Sequence, residues 1–234
     1  MRSTILLLAC LLLFLSGVSQ GHDVITTRIT WNREISRIFY DRCISCHRQG
    51  GMSFSMMTYA EARPWAVAIN DEVLSRRMPP WGAVKGFGEF RNDQALTAEQ
   101  LEMITSWVQG GVPEGEPGDV VPQPKISEFF STDQRDHGVT ISGDFKLGSP
   151  FVLDGLRPLR VPDNQSLQVT ADLPDGSVQP LLWLYEYKKQ YEHPFLLQAP
   201  LELPTGTTIR GVPPEATILL LPAPATVLGQ SETK

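Results

Sequence analysis

Cysteine is scarce in this chain, with three in 234 residues, too few to staple a disulfide scaffold. An excess of basic residues is also missing. Twenty Lys and Arg stand against 26 Asp and Glu, a net charge of -6 at pH 7, which excludes a general nucleic-acid binder needing a clustered positive surface. Long apolar runs are absent except at the extreme N-terminus. Glycine and proline, by contrast, are plentiful. Nineteen of each are too many for a helical bundle throughout and predict long irregular or β-rich stretches. With 41% hydrophobic and 20% charged residues, the chain has the profile of a globular protein of one large or two small domains.

The N-terminal run reads as an export signal over residues 1–21. Arg2 supplies a positive charge, Ile5 to Val18 is almost unbroken Leu, Ile, Phe and Ala, and small residues follow at Gly17, Ser19 and Gly21. This layout predicts cleavage after Ser19 or Gly21. The rival reading is an uncleaved anchor, but the run is shorter than the roughly 20 residues a span requires. Cys10 lies inside the apolar run with leucines after it, a poor lipoprotein site. Cleavage leaves Cys43 and Cys46 as the mature thiols. The expected location is the periplasm, ahead of a secreted or membrane-associated form, with membrane association only through partners or an uncleaved signal.

Residues 22–111 carry helical patterning. Ile35, Ile38 and Phe39 recur at helix spacing and lead into Cys43. Thr58 to Glu61 and Thr97 to Gln100 each have the form of a capping box. The first precedes an apolar stripe of Trp65, Ile69, Val73 and Leu74, with Pro64 as a kink or a helix start. The second precedes Leu101, Ile104, Trp107 and Val108, and Gly110-Gly111 is the expected stop. Residues 112–127 hold Pro113, Pro117, Pro122 and Pro124 and read as a stiff, extended linker. Over 128–234 the period changes to short β-prone runs: Phe151–Leu153, Ser166–Ala171, Leu181–Tyr187 and Thr217–Leu221. Turn signals stand at Pro174-Asp-Gly176 and Pro204-Thr-Gly206, and a β-sandwich is expected. The fold class is multidomain α + β, a small all-α domain followed by an all-β sandwich.

Cys43-Ile-Ser-Cys46-His47 has the C-x-x-C-H spacing of covalent haem attachment. Two thiols must reach two vinyl groups of one porphyrin, and the following histidine is then held beneath the iron. A redox C-x-x-C would want a thioredoxin-like βαβ context, a zinc site a second ligand pair, and a disulfide this short would constrain little. The expected cofactor is one haem c. Candidates for the second axial position are Met52, Met56, Met57, Met78, Met103, His137 and His193. Met78 is favoured because two prolines after it hold the backbone extended, so that its thioether projects from a stiff loop. The alternative is a methionine filling a core gap. His/Met ligation saturates the iron and favours outer-sphere electron transfer. Trp65, Trp81, Phe87, Phe90 and Trp107 are candidates for an apolar haem pocket, or ordinary core. Arg76, Arg77 and Arg91 are candidates for pairing with propionates.

Four segments together, Cys43 to His47, Thr58-Tyr-Ala-Glu-Ala-Arg-Pro-Trp65, Arg77-Met-Pro-Pro-Trp81 and Ser106 to Gly115, resemble a family of bacterial single-haem cytochrome c domains over about 22–118. The resemblance implies a cytochrome c-like fold for the helical part, with Cys43 and Cys46 as attachment points and His47 and Met78 as axial ligands. Such domains often precede a copper type II, ascorbate-dependent monooxygenase-like region. Pro174-Asp-Gly176, Leu181-Leu182, Tyr187, Pro200 to Pro204 and Gly206-Thr207 are similar to the C-terminal sandwich of that region, over roughly 157–210. Where that family has an H-x-H copper pair, this chain reads Pro158-Leu-Arg-Val-Pro162, and His137 and His193 alone cannot assemble imidazole-type copper ligation. A copper brace built on His22 at a new N-terminus lacks a second histidine. No copper is therefore expected, and no catalytic residues are assigned. The expected function is an exported c-type cytochrome passing single electrons between redox-partner proteins, the sandwich serving for docking. The alternative is a haem-bearing subunit of an oxidoreductase complex, or a peroxidase-like enzyme.

Overall fold

The computed structural model describes residues 28–124 and 137–224. The export signal, His22, the end of the proline-rich segment and residues 128–136 of the expected sandwich lie outside the described residues.

Helix formation begins where Thr30, in extended backbone, accepts a hydrogen bond from the Arg33 N–H. Glu34 Oε2 in turn accepts from the Thr30 N–H at 2.9 Å. A π-helical turn, Trp31–Ile35, runs directly into α1 (Ser36–Arg42). Both expected capping boxes form. Thr58 and Glu61 open α2 (Tyr59–Ala62), and Thr97 and Gln100 open α4 (Ala98–Gln109). Pro64 makes a kink: a 3-10 turn, Arg63–Trp65, separates α2 from α3 (Ala66–Leu74). Gly111 ends α4 in the left-handed region at φ 88°, as a glycine stop requires.

These short helices share one core of Trp31, Ile35, Ile38, Phe39, Met56, Ala62, Ala66, Ile69, Val73, Ile104 and Trp107. At its centre Trp31 meets Phe39 at 5.0 Å edge-on and Trp107 at 6.0 Å. The stripe of the middle helix is corrected in one respect. Ala62 and Ala66 face inward with Ile69 and Val73, whereas Trp65 and Leu74 are 48% and 53% exposed. The kink at Pro64 rotates the helix, so the inner face takes alanines where the long side chains were expected.

The proline-rich stretch is not a free spacer over its described part. The Trp31 and Asn32 N–H groups donate to Pro113 and Glu114 carbonyls at 3.0 and 2.9 Å, and Trp107 Nε1 donates to Pro113 at 3.0 Å. Gln123 Nε2 donates to the Met57 carbonyl at 3.2 Å. Prolines suit this path because their carbonyls accept while no N–H is left to satisfy.

Two antiparallel four-stranded sheets follow. One runs in the order β1 (Val139–Ile141), β8 (Thr217–Pro222), β3 (Phe151–Arg160), β6 (Phe195–Leu203). The other runs β2 (Phe145–Lys146), β7 (Thr208–Arg210), β4 (Leu167–Asp172), β5 (Val178–Leu184). Leu153, Leu156, Val169, Leu182, Ile209, Ile218 and Leu220 fill the layer between them. Pro174-Asp-Gly176 turns the β4–β5 hairpin, whereas Pro204-Thr-Gly206 carries the chain from one sheet to the other.

The expectation of an all-α first half holds only for the segments 31–42, 59–74 and 98–109. Residues 75–97 contain no helix, because Pro79, Pro80, Gly82, Gly86 and Gly88 oppose one. Instead this strap pairs with the sandwich. Ala83 bridges Leu184 on β5 and Phe90 bridges Leu197 on β6. Both strands are the last in their sheets, so the strap supplies backbone partners to two edges that would otherwise be open.

Candidate functional site

The chain leaves α1 through one further, irregular turn. The Cys43 N–H donates to Phe39 at 2.8 Å, and the Cys46 and His47 N–H groups both donate to the Cys43 carbonyl, at 3.2 and 2.9 Å. Positions i, i+3 and i+4 of a helical turn share a face, and Cys43, Cys46 and His47 stand at that spacing, each half-buried. Both thiols are free. The following loop folds back on the turn, with Ser53 and Met56 N–H groups donating to the Cys46 and His47 carbonyls at 3.2 and 3.1 Å.

His47 Nδ1 lies 3.0 Å from the Phe54 carbonyl oxygen. That contact assigns the proton to Nδ1 and leaves Nε2 as a lone-pair donor without a hydrogen bond among the described residues. Burial holds the imidazole pKa below its ordinary value, with the Phe54 carbonyl pulling the other way. The ring is therefore neutral at neutral pH, the form that ligates metals. The Cys43 thiol is pushed up to about 12, first by burial and then by Asp41 and Cys46, against the opposing Arg42. This is unlike the depressed thiol of a disulfide oxidoreductase.

An aromatic wall continues from the imidazole. Phe54 meets His47 edge-on at 5.0 Å, and Trp65 meets Phe54 at 4.8 Å. Met52, 70% exposed, brings its sulfur to 3.8 Å from Cys46 Sγ. Met56 and Met57 are buried in separate clusters, and Met103 flanks the helical core. Met78 packs against that same core, as does Cys43. Its backbone N–H donates to the Glu72 carbonyl at 3.2 Å, while the Arg77 guanidinium grips the Glu72 carboxylate at 2.8 and 2.9 Å. No hydrogen bond joins Met78 to His47.

Several candidates from the sequence go elsewhere. Trp81 stacks flat on His193 at 4.9 Å and packs on Phe195 and Phe90, and Phe87 meets Trp183. These aromatics belong to the sandwich, and Trp107 belongs to the centre of the helical core. Arg77 is engaged by Glu72, and Arg91 by Asp154, with guanidinium nitrogens at 2.9 and 2.8 Å from the two carboxylate oxygens. Neither is a free propionate partner. His193 is a packed ring, while His137 is exposed. Among the described residues no three His, Cys, Asp or Glu side chains converge on a metal-sized site. Among them, too, no helix is long and apolar enough to cross a membrane. Sequence reasoning missed Phe54, because a carbonyl seven residues beyond a histidine carries no composition signal. It also missed the Arg91–Asp154 pair, whose members are separated by 63 positions.

Set against protein-family models, curated proteins and solved structures, the chain matches none.

Proposed function

We propose that this chain is an exported, periplasmic c-type cytochrome, with one haem c attached through Cys43 and Cys46 and axially ligated by His47 and Met78. It passes single electrons between redox-partner proteins, the sandwich offering the docking surface, and has no copper and no catalytic residues of its own. A cytochrome c-like arrangement of the helical part, and kinship of the sandwich with the copper monooxygenase-like domain, belong to the same proposal.

The observation that carries it is the turn from Cys43 to His47. Two free thiols and an imidazole follow one another at i, i+3 and i+4 of it, and the Phe54 carbonyl holds the imidazole with Nε2 available. The residues present fit the group in a second way. Met52, Phe54 and Trp65 are 70%, 45% and 48% exposed around this turn, whereas Trp31, Phe39 and Trp107 are buried; contiguous exposed apolar surface marks a site that something covers. Bound iron porphyrin would supply one-electron chemistry, its potential raised by a thioether ligand. His47 is kept neutral by burial and oriented by the Phe54 carbonyl. Phe54 packs edge-on against the imidazole, and Trp65 packs against Phe54. Met78, between its Glu72 anchor and Pro79-Pro80, offers sulfur from a short tether.

Expression in a host with haem-attachment machinery tests the reading. The expected product is coloured, its mass raised by one haem, with loss of attachment in Cys43→Ala/Cys46→Ala. In Met78→Ala the ferric form is expected to bind cyanide much faster than the parent. A colourless product of bare polypeptide mass refutes the cytochrome. Equal cyanide rates in parent and Met78→Ala refute Met78 as ligand.

A further inference from the structure

The strap between α3 and α4 touches both halves of the chain. At its start, Trp81 is stacked on His193, three residues beyond Met78. Val84 N–H donates to Trp183 and Tyr185 N–H to Gly82, at 2.8 and 2.9 Å. Gly88 lies so tightly on β5 that a Cβ there would stand 2.6 Å from the Leu181 carbonyl oxygen, at φ 83°. Arg91 and Gln198 N–H groups exchange bonds with Leu196 and Glu89 carbonyls at 2.9 and 2.8 Å. Asn92 bonds Pro194 and Leu196 through its amide, at 2.8 and 3.0 Å. At the far end the Arg42 guanidinium donates to the Asp93 carbonyl, so the strap returns to the residue before Cys43.

One interaction is costlier than the rest to lose. Asp154 sits where the register of β3 shifts against both β6 and β8, and such bulges re-aim a side chain. Its carboxylate is 3% exposed and is held by both terminal nitrogens of Arg91. Arg91 also donates to the Leu197 carbonyl at 2.7 Å. Removing one partner of a buried ion pair is strongly unfavourable, so this pair ties the strap to β3.

We propose that the sandwich is a clamp on the axial methionine: Arg91 and Asp154 are positioning residues that lock the strap and thereby restrict the excursions of Met78. This rests on the haem reading and goes beyond it, because it gives the β domain a role in ligand retention besides docking. Met78 hangs between two fixed points, the Glu72 grip and the Trp81 stack. Freeing the strap releases the second point.

The test uses the full-length haem protein and Arg91→Gln, Asp154→Asn and the conservative Arg91→Lys, with Met78→Ala as the open-iron reference. Cyanide binding to the ferric form and the far-red absorption band of methionine-ligated ferric haem are the readouts. Amide exchange over 82–92 reports the strap itself. Faster exchange and cyanide binding faster by about tenfold or more are expected in Arg91→Gln and Asp154→Asn, set by the easier local opening. Arg91→Lys, which keeps the charge but loses the fork, is expected to fall between, and it supplies the measurement if Arg91→Gln does not fold. A loosened strap with parental cyanide rates and an unchanged far-red band overturns the clamp and leaves the cytochrome standing. A parent that lacks the band and matches Met78→Ala overturns the clamp together with Met78 ligation.

Discussion

Trp107 offers the sharpest test of how the helical half is held together. Its indole is fully buried, packed at 6.0 Å from Trp31 and 6.4 Å from Phe39, and its Nε1 donates to Pro113 at 3.0 Å. Trp107→Ala removes the whole ring and leaves a cavity, which costs about 3–5 kcal/mol. Trp107→Phe keeps most of the apolar contact and loses one hydrogen bond. The Pro113 oxygen is not orphaned by that change, because the Trp31 N–H still donates to it at 3.0 Å. The net cost is then about 1–2 kcal/mol, one hydrogen bond plus some lost volume. Denaturant unfolding followed by circular dichroism measures both, with the denaturant slope checked for constancy. Packing is the premise, so Phe and Ala variants of equal cost would refute it, as would an Ala variant costing below about 1 kcal/mol. The consequence reaches the Cys43–His47 turn, where the proposal puts haem attachment, because Cys43 hangs from Phe39 by its backbone N–H. Haem incorporation should therefore fall in Trp107→Ala and survive in Trp107→Phe.

Two further outcomes are expected. Burial lowers the His193 pKa, against the weaker pull of the Pro194 carbonyl, so the unfolded chain takes up that proton first. Stability is then greatest above the unfolded histidine pKa of about 6.5 and falls as pH drops below it, by at most about 1.4 kcal/mol per pH unit for this one group. Urea midpoints from pH 8 to 5 should show a shallower acid decline in His193→Phe. Thr58→Ala and Thr97→Ala each remove a side-chain cap and should cost about 1 kcal/mol, adding when combined because the caps are independent. Thermal unfolding of the single and double variants checks this.

Local features of this chain were legible because their causes are local. A threonine three residues before Glu61 or Gln100 caps a helix wherever the helix packs, and Gly111 ends one because it accepts a left-handed backbone. Likewise the backbone bonds from Cys46 and His47 to the Cys43 carbonyl close a single local turn. Strand periodicity located much of β4, β5 and β8 and the first three residues of β3. It overlooked β6, whose burial is uneven along its length, and the two- and three-residue strands β1, β2 and β7, which are too short to show a period.

What spacing and composition could not decide is where the long non-helical segment between α3 and α4 would go. Its aromatics read as a haem pocket or as ordinary core, and Trp81, Phe87 and Phe90 pack on the sandwich. The physical reason lies on β5 and β6. Their outer edges present backbone groups that this segment pairs, and Asp154, buried at a strand irregularity, is paired with Arg91 from it. The amino-acid order alone thus determined the caps, the turns and the close spacing of the two thiols and the imidazole. The tertiary structure decided that the stretch beyond Met78 is shared with the β domain, because edge pairing and a buried charge are contacts between residues whose proximity exists only once the chain has folded.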